Sequence, residues 1–152
     1  METVDTYLNG GLDRVILGTA AVTDPDFLDE VLEKYGDRIA VGMDIKNGMV
    51  AIHGWTEQSQ VTFFDFCRQM AEKGVRTMIC TDIDRDGAMK GTNRNLYRKL
   101  SEELSLQITA SGGVSSIEDV RALREMNLYG AIIGKAWYTG AISLEEAIRE
   151  AK

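Results

Sequence analysis

The chain has 152 residues, 44% hydrophobic and 27% charged, an ordinary globular composition. Seventeen Lys and Arg against 24 Asp and Glu leave a net charge of −7 with no basic run, which argues against a nucleic-acid groove. No apolar run approaches the roughly 20 residues of a membrane span, and the acidic start at Glu2 and Asp5 is unlike a secretory leader. A cytoplasmic location is therefore expected, with no membrane partner. Fifteen glycines against one proline suggest many tight turns, or backbone that comes close to a ligand.

In chain order, residues 2–9 read as a helix that ends at Gly10-Gly11. Strand candidates follow at 14–18, 38–44, 75–81, 106–110 and 129–133, nearly continuous apolar runs of the kind parallel strands show. Asp24-Pro25 is a helix start with proline at the first helical position. Ser116 with Asp119, and Ser143 with Glu146, have capping-box spacing. Asn47-Gly48 is a hairpin signal that adds a small ribbon after the second strand. Phe63, Phe66, Cys67 and Met70 recur at helical intervals and read as core. Cys67 and Cys80 match no metal-ligand spacing and read as buried apolar residues, so no metal is expected.

Strand–helix alternation argues for an α/β fold with parallel strands, in one domain over residues 1–152. Five strands leave two architectures open: a flavodoxin-like open sheet, and an incomplete (β/α)8 barrel, whose full length is about 250 residues. An opening helix with no strand before it favours the partial barrel, with strands four to eight present.

A shift of 116 positions places Glu2, Val4, Leu12, Ile16, Gly18 and Ala20 on Glu118, Val120, Leu128, Ile132, Gly134 and Ala136. Both copies read helix, apolar strand, Gly-x-Ala. The second copy also carries Ser111-Gly112-Gly113 upstream. Paired glycines and a helix start offer backbone N–H groups to an anion, as in the phosphate sites many barrels build after strands seven and eight. Ser111, Gly112, Gly113, Gly134, Lys135 and Ala136 are thus a candidate phosphate cradle, with Gly18 and Thr19 as half of a second one. A tight turn without ligand is the competing explanation for Gly112-Gly113.

Gly42-Met43-Asp44, the Asn47-Gly48 ribbon, His53-Gly54-Trp55, Thr81-Asp82-Ile83-Asp84-Arg85-Asp86-Gly87, Ala110-Ser111-Gly112-Gly113 and Ile133-Gly134-Lys135-Ala136 occur in one order. This series resembles the phosphoribosylformimino-aminoimidazole-carboxamide ribotide isomerase family of histidine biosynthesis, over essentially the whole chain. Thr81-Asp82 and Gly54-Trp55 favour it over the sister cyclase. The dual-substrate phosphoribosyl isomerase remains an alternative, as does a noncatalytic phosphate-binding α/β module.

The resemblance implies an incomplete ribulose-phosphate-binding barrel and a cofactor-free Amadori rearrangement of a bis-phosphorylated substrate. It makes Asp44 the general acid and gives Thr81 and Asp86 catalytic or substrate-orienting roles. Trp55 would stack on the imidazole carboxamide. His53 is passed over as a base, because the family uses a carboxylate on the first barrel strand, which would fall before Met1. Two open sheet edges and an apolar lumen lead to the expectation of a homodimer that covers the open barrel.

Overall fold

A computed structural model describes residues 1–52 and 57–152. It begins with α1 (Glu2–Asn9), β1 (Val15–Leu17), α2 (Ala20–Thr23) and α3 (Pro25–Tyr35), then a 3-10 turn at Gly36–Arg38. Next come β2 (Ile39–Lys46), β3 (Met49–Ile52), β4 (Glu57–Thr62) and α4 (Phe63–Glu72). The chain continues through β5 (Thr77–Asp82), α5 (Arg94–Glu103), β6 (Gln107–Ser111) and α6 (Ile117–Glu125). It finishes with β7 (Gly130–Ala131), α7 (Lys135–Tyr138) and α8 (Leu144–Ala151).

Five helices, α3 to α6 and α8, start where a side chain satisfies a free N–H group. Asp24 accepts from the Phe27 amide at 3.1 Å, ahead of Pro25 at the first turn. Ser116 and Ser143 accept from the Asp119 and Glu146 amides, as their spacing predicts. Thr62 and Asn93 cap α4 and α5 in the same way. The amphipathic face of α4 buries Phe63, Phe66, Cys67 and Met70, as expected.

The sheet order is β4-β3-β2-β5-β6-β7, with β1 also on β2. All pairings among β1, β2, β5, β6 and β7 are parallel, and the sheet is unclosed, a partial barrel. One edge of β2 is shared: its first half pairs with β1 and its second half, antiparallel, with β3. Asn47 (φ 50°) and Gly48 (φ 77°) make the two-residue turn between β2 and β3.

Three differences from the sequence reading have physical causes. The outermost strands shorten, from 14–18 to Val15–Leu17 and from 129–133 to Gly130–Ala131. Each has a partner on one side only, so its ends leave the ladder first. β4 was not anticipated, because Glu57-Gln58-Ser59-Gln60 carries no apolar signal; its pairing with β3 makes it a strand. The concave face, expected to be apolar, is largely small or polar. Helix-facing positions such as Val41, Met43, Met78, Cys80 and Ile108 are buried. The alternate positions Gly42, Asp44, Lys46, Ile79, Thr81 and Thr109 are half-buried. Ile16 and Ile132, 57% and 46% exposed, are the large apolar groups at its two edges.

Among the described residues, Asp119 is the buried charge of the helical layer. Asp119, 2% exposed, accepts from Arg94 at 2.8 Å and from the Ser115 amide and hydroxyl, each at 3.0 Å. It thereby ties the start of α5 to the turn that begins α6. Burial by itself would raise this carboxyl, but the hydrogen bonds from Arg94 and Ser115 outweigh burial and hold it below its ordinary value. A depressed folded-state pKa contributes stability that is complete above the unfolded value, roughly pH 4, and is lost as pH falls through the folded value. Asp119→Asn is expected to cost about 1–3 kcal/mol at pH 7, because its amide opposes donors. Urea unfolding should show the gap to the unsubstituted chain narrowing as pH falls from 7 towards 3.

Candidate active site at the strand C-terminal ends

Parallel register brings the chemistry together. Asp44 on β2 is level with Thr81 on β5, which is level with Ser111 on β6. Residues in register on neighbouring strands project to the same face. The row therefore lies on the concave side, near the C-terminal ends of three adjacent strands, where barrel sites are built. Asp44 and Thr81 are half-buried, and Ser111 is 9% exposed.

The loop after β5 roofs one side of this row. The Ile83 amide donates to the Ile45 carbonyl at 3.0 Å. The Asp84 carboxylate accepts from the Asn47 amide at 2.8 Å, so the loop holds the hairpin turn. Asp82, 4% exposed, accepts from the Asp84 amide at 3.1 Å and from Asn93 Nδ2 at 2.7 Å. Arg85 donates to the Gly91 carbonyl at 3.1 Å. The acidic run is thus a set of structural ties, and Asp86 is the carboxylate of the run that lines the cavity beneath it.

That cavity, of about 60 Å³, is bounded by Asp86, Ser111, Gly112, Gly113, Gly134 and Lys135, with Ile132 alongside. Lys135 Nζ donates to the Gly87 carbonyl at 2.9 Å, which joins α7 to the β5 loop. Ala136 does not line the cavity; its side chain is buried in the core at 1% exposure. Gly18 and Thr19 sit apart from it, at the end of β1. The repeat is nevertheless visible, since α1–β1–α2 and α6–β7–α7 are the same succession of elements. Trp55 and His53 lie outside the described residues. Among the described residues no cluster of three or more His, Cys, Asp or Glu is placed to hold a metal ion. Larger cavities of about 470 Å³, between α5 and α6, and about 410 Å³, beside α4 and the ribbon, touch none of the row.

Sequence reasoning missed Tyr97. Its fully buried hydroxyl lies 2.8 Å from the Cys80 carbonyl and 3.1 Å from the Ser111 carbonyl, and accepts from the Ser111 amide at 3.3 Å. Burial, with the neighbouring Cys80 adding to it, pushes the phenol well above its ordinary value, so it stays neutral. Helical spacing with Leu100 marks Tyr97 as a core residue, and nothing local marks its hydroxyl. Cys80 is likewise pushed well up by its contact with Cys67 and by burial, and both thiols are free and buried.

Gly112 and Gly113 adopt φ of +85° and +81°. A Cβ at Gly112 would lie 2.5 Å from the Asp82 carbonyl oxygen, and one at Gly113 would lie 2.4 Å from that of Gly91. The loop therefore demands both glycines whether or not a ligand binds. Gly113→Ala is expected to displace the β5 loop and destabilise the chain by about 2 kcal/mol or more. Thermal unfolding checks this, with Gly134→Ala, where a Cβ meets nothing within 4 Å and φ is negative, as the mild comparison.

A family profile described as "Histidine biosynthesis protein" matches residues 1–143. The chain is 52% identical over 146 residues to a protein of Listeria welshimeri serovar 6b, covering 96% of this chain and 61% of that one. It is 50% identical over 148 residues to a Listeria innocua serovar 6a protein, covering 97% and 62%. With a Clostridium botulinum (strain Langeland) protein it shares 45% over 149 residues, covering 98% and 62%. Each relative is named a 1-(5-phosphoribosyl)-5-((5-phosphoribosylamino)methylideneamino)imidazole-4-carboxamide isomerase. The chain spans about 62% of the length of these curated relatives. Matched by that profile over residues 1–143 and sharing 45–52% identity with these relatives, the chain belongs to the histidine-biosynthesis protein family.

Proposed function

We propose that this chain carries the C-terminal five βα units of an aldose–ketose isomerase acting on a bis-phosphorylated aminoimidazole carboxamide ribotide. The observation that carries the reading is the level row of Asp44, Thr81 and Ser111 at the strand ends, with a glycine-lined cavity beside it. Asp44 is the general acid: it donates a proton to the furanose ring oxygen as the C1–O bond breaks. The lone pair of the nitrogen on C1 forms the open-chain Schiff base as that bond breaks. A base then removes the C2 proton to give an enaminol, which takes up a proton at C1 and loses the one on its C2 oxygen to become the aminoketose. Thr81 holds the sugar hydroxyls or orients the acid. Asp86, a carboxylate at the rim, suits sugar hydroxyls rather than a phosphate.

One phosphate rests on the backbone N–H groups of residues 111–113 and 134–135, and Gly18 and Thr19 contribute to a second phosphate site. Trp55 stacks on the imidazole carboxamide. No cofactor is needed, and the working place is the cytoplasm. Among the described residues no helix is long and apolar enough to cross a membrane.

The resemblance assigns the base to a carboxylate on the first barrel strand, which no residue of this chain matches, so we expect the chain alone to show no turnover of the ribotide by absorbance. Supplying the first three βα units of a relative in trans should restore activity. In the restored enzyme Asp44→Asn should lower the rate by about 10²–10⁴-fold. An undiminished rate for that variant overturns the assignment of the acid. Inorganic phosphate should shift the amide resonances of Gly112, Gly113 and Gly134. Unchanged resonances overturn the phosphate cradle, and with it the noncatalytic phosphate-binding alternative.

We propose further that two copies associate to cover the open barrel. Support comes from the singly paired β1 and β7, and from exposed apolar groups beside them: Tyr7, Leu12 and Ile16 at one edge, Ile132, Leu144 and Ile148 at the other. Light scattering should give twice the 16.8 kDa chain mass. A monomer at high concentration overturns the dimer.

A further inference from the structure

Tyr97 stands on α5, yet its hydroxyl is bonded to backbone 17 and 14 residues away, at Cys80 within β5 and at Ser111 at the end of β6. Cys80 lies two residues before β5 ends at Asp82, and Ser111 is the last residue of β6, where the Gly112-Gly113 turn begins. The phenol touches both the N–H and the C=O of Ser111, the residue from which that turn departs. Thr92, 5% exposed and part of the β5 loop, adjoins the same phenol. The other side of the turn is packed against the Asp82 and Gly91 carbonyls.

Consecutive glycines have the widest backbone freedom of any dipeptide, so ordering them for a ligand is entropically costly. A turn pinned at its entrance and pressed from above is already ordered, and prior ordering strengthens binding. We infer that Tyr97 is a positioning residue for the anion cradle, fixing Ser111 so that the amides of Gly112 and Gly113 are set before phosphate arrives. This inference rests on the cradle reading above. It adds a residue remote in sequence from the cradle, which no glycine motif would suggest. Tyr97 itself touches no ligand.

The test is Tyr97→Phe in the whole 152-residue chain, with Leu100→Val as comparison. Leu100 is equally buried on the same helix but carries no polar atom to engage the strand ends. Inorganic phosphate is titrated while the Gly112 and Gly113 amides are followed. The expected result is a phosphate affinity about tenfold weaker for Tyr97→Phe, little changed for Leu100→Val. Ser111 amide exchange should also accelerate in Tyr97→Phe relative to those of Met78 and Ile108. Unchanged affinity in Tyr97→Phe, or an equal loss in Leu100→Val, overturns the positioning role and leaves the cradle standing. Absence of phosphate binding by the unsubstituted chain overturns the cradle, and this inference with it. Should Tyr97→Phe not fold, the unsubstituted chain decides. A Ser111 amide as protected as that of Ile108 supports the anchor, and one exchanging as fast as those of residues 86–88 overturns it.

Discussion

Everything at the C-terminal end of this sheet depends on how closely the backbone after β5 approaches the backbone after β6. At Gly112 and Gly113 there is no room for a Cβ against the carbonyls of Asp82 and Gly91. That approach forces glycine, and glycine permits the positive φ that turns the chain away from β6. The turn in turn bounds the cavity that Asp86, Gly134 and Lys135 share. Loop packing and the glycine-lined cavity are thus two consequences of one constraint.

Charge is used in this region mainly to hold loops. Asp82, Asp84 and Asp119 each bind backbone amides, and Asp119 also takes the Arg94 guanidinium. Buried carboxylates survive only with such partners. The outcome is an acidic chain whose loops are tied across the sheet's rim: hairpin to β5 loop through Asp84, and β5 loop to α7 through Lys135. Asp44, on the concave side, and Asp86, at the cavity, are differently placed. Asp86 lines the strand-end cavity and Asp44 stands in the row that ends at Ser111, which is what makes them candidates for chemistry.

The open sheet has a polarity of its own. Its concave side carries Asp44, Thr81 and Thr109 at half-buried positions, while the helix-facing side is a dry core. A face of that kind suits a hydrated, polar ligand better than it suits a second hydrophobic layer. The apolar exposure is at the rims, at Ile16, Ile132 and the outer face of α8.

The alternation of strands and helices, three helix caps, the Asn47-Gly48 turn and the order of the family motifs were legible in the sequence, because each rests on contacts within a few residues or on a simple period. Periodicity also identified Phe63, Phe66, Cys67 and Met70 as core. The tertiary structure alone decided that Asp44, Thr81 and Ser111 stand level, since register depends on pairing between strands about 30 residues apart or more. It decided that a polar segment became β4, that the outermost strands were short, and that the concave face was not apolar. It also turned Asp82 from an acidic loop residue into a buried tie and gave the Tyr97 hydroxyl its three backbone partners. A sequence reports which face a side chain occupies; which distant backbone group waits there is set only when the sheet brings the two together.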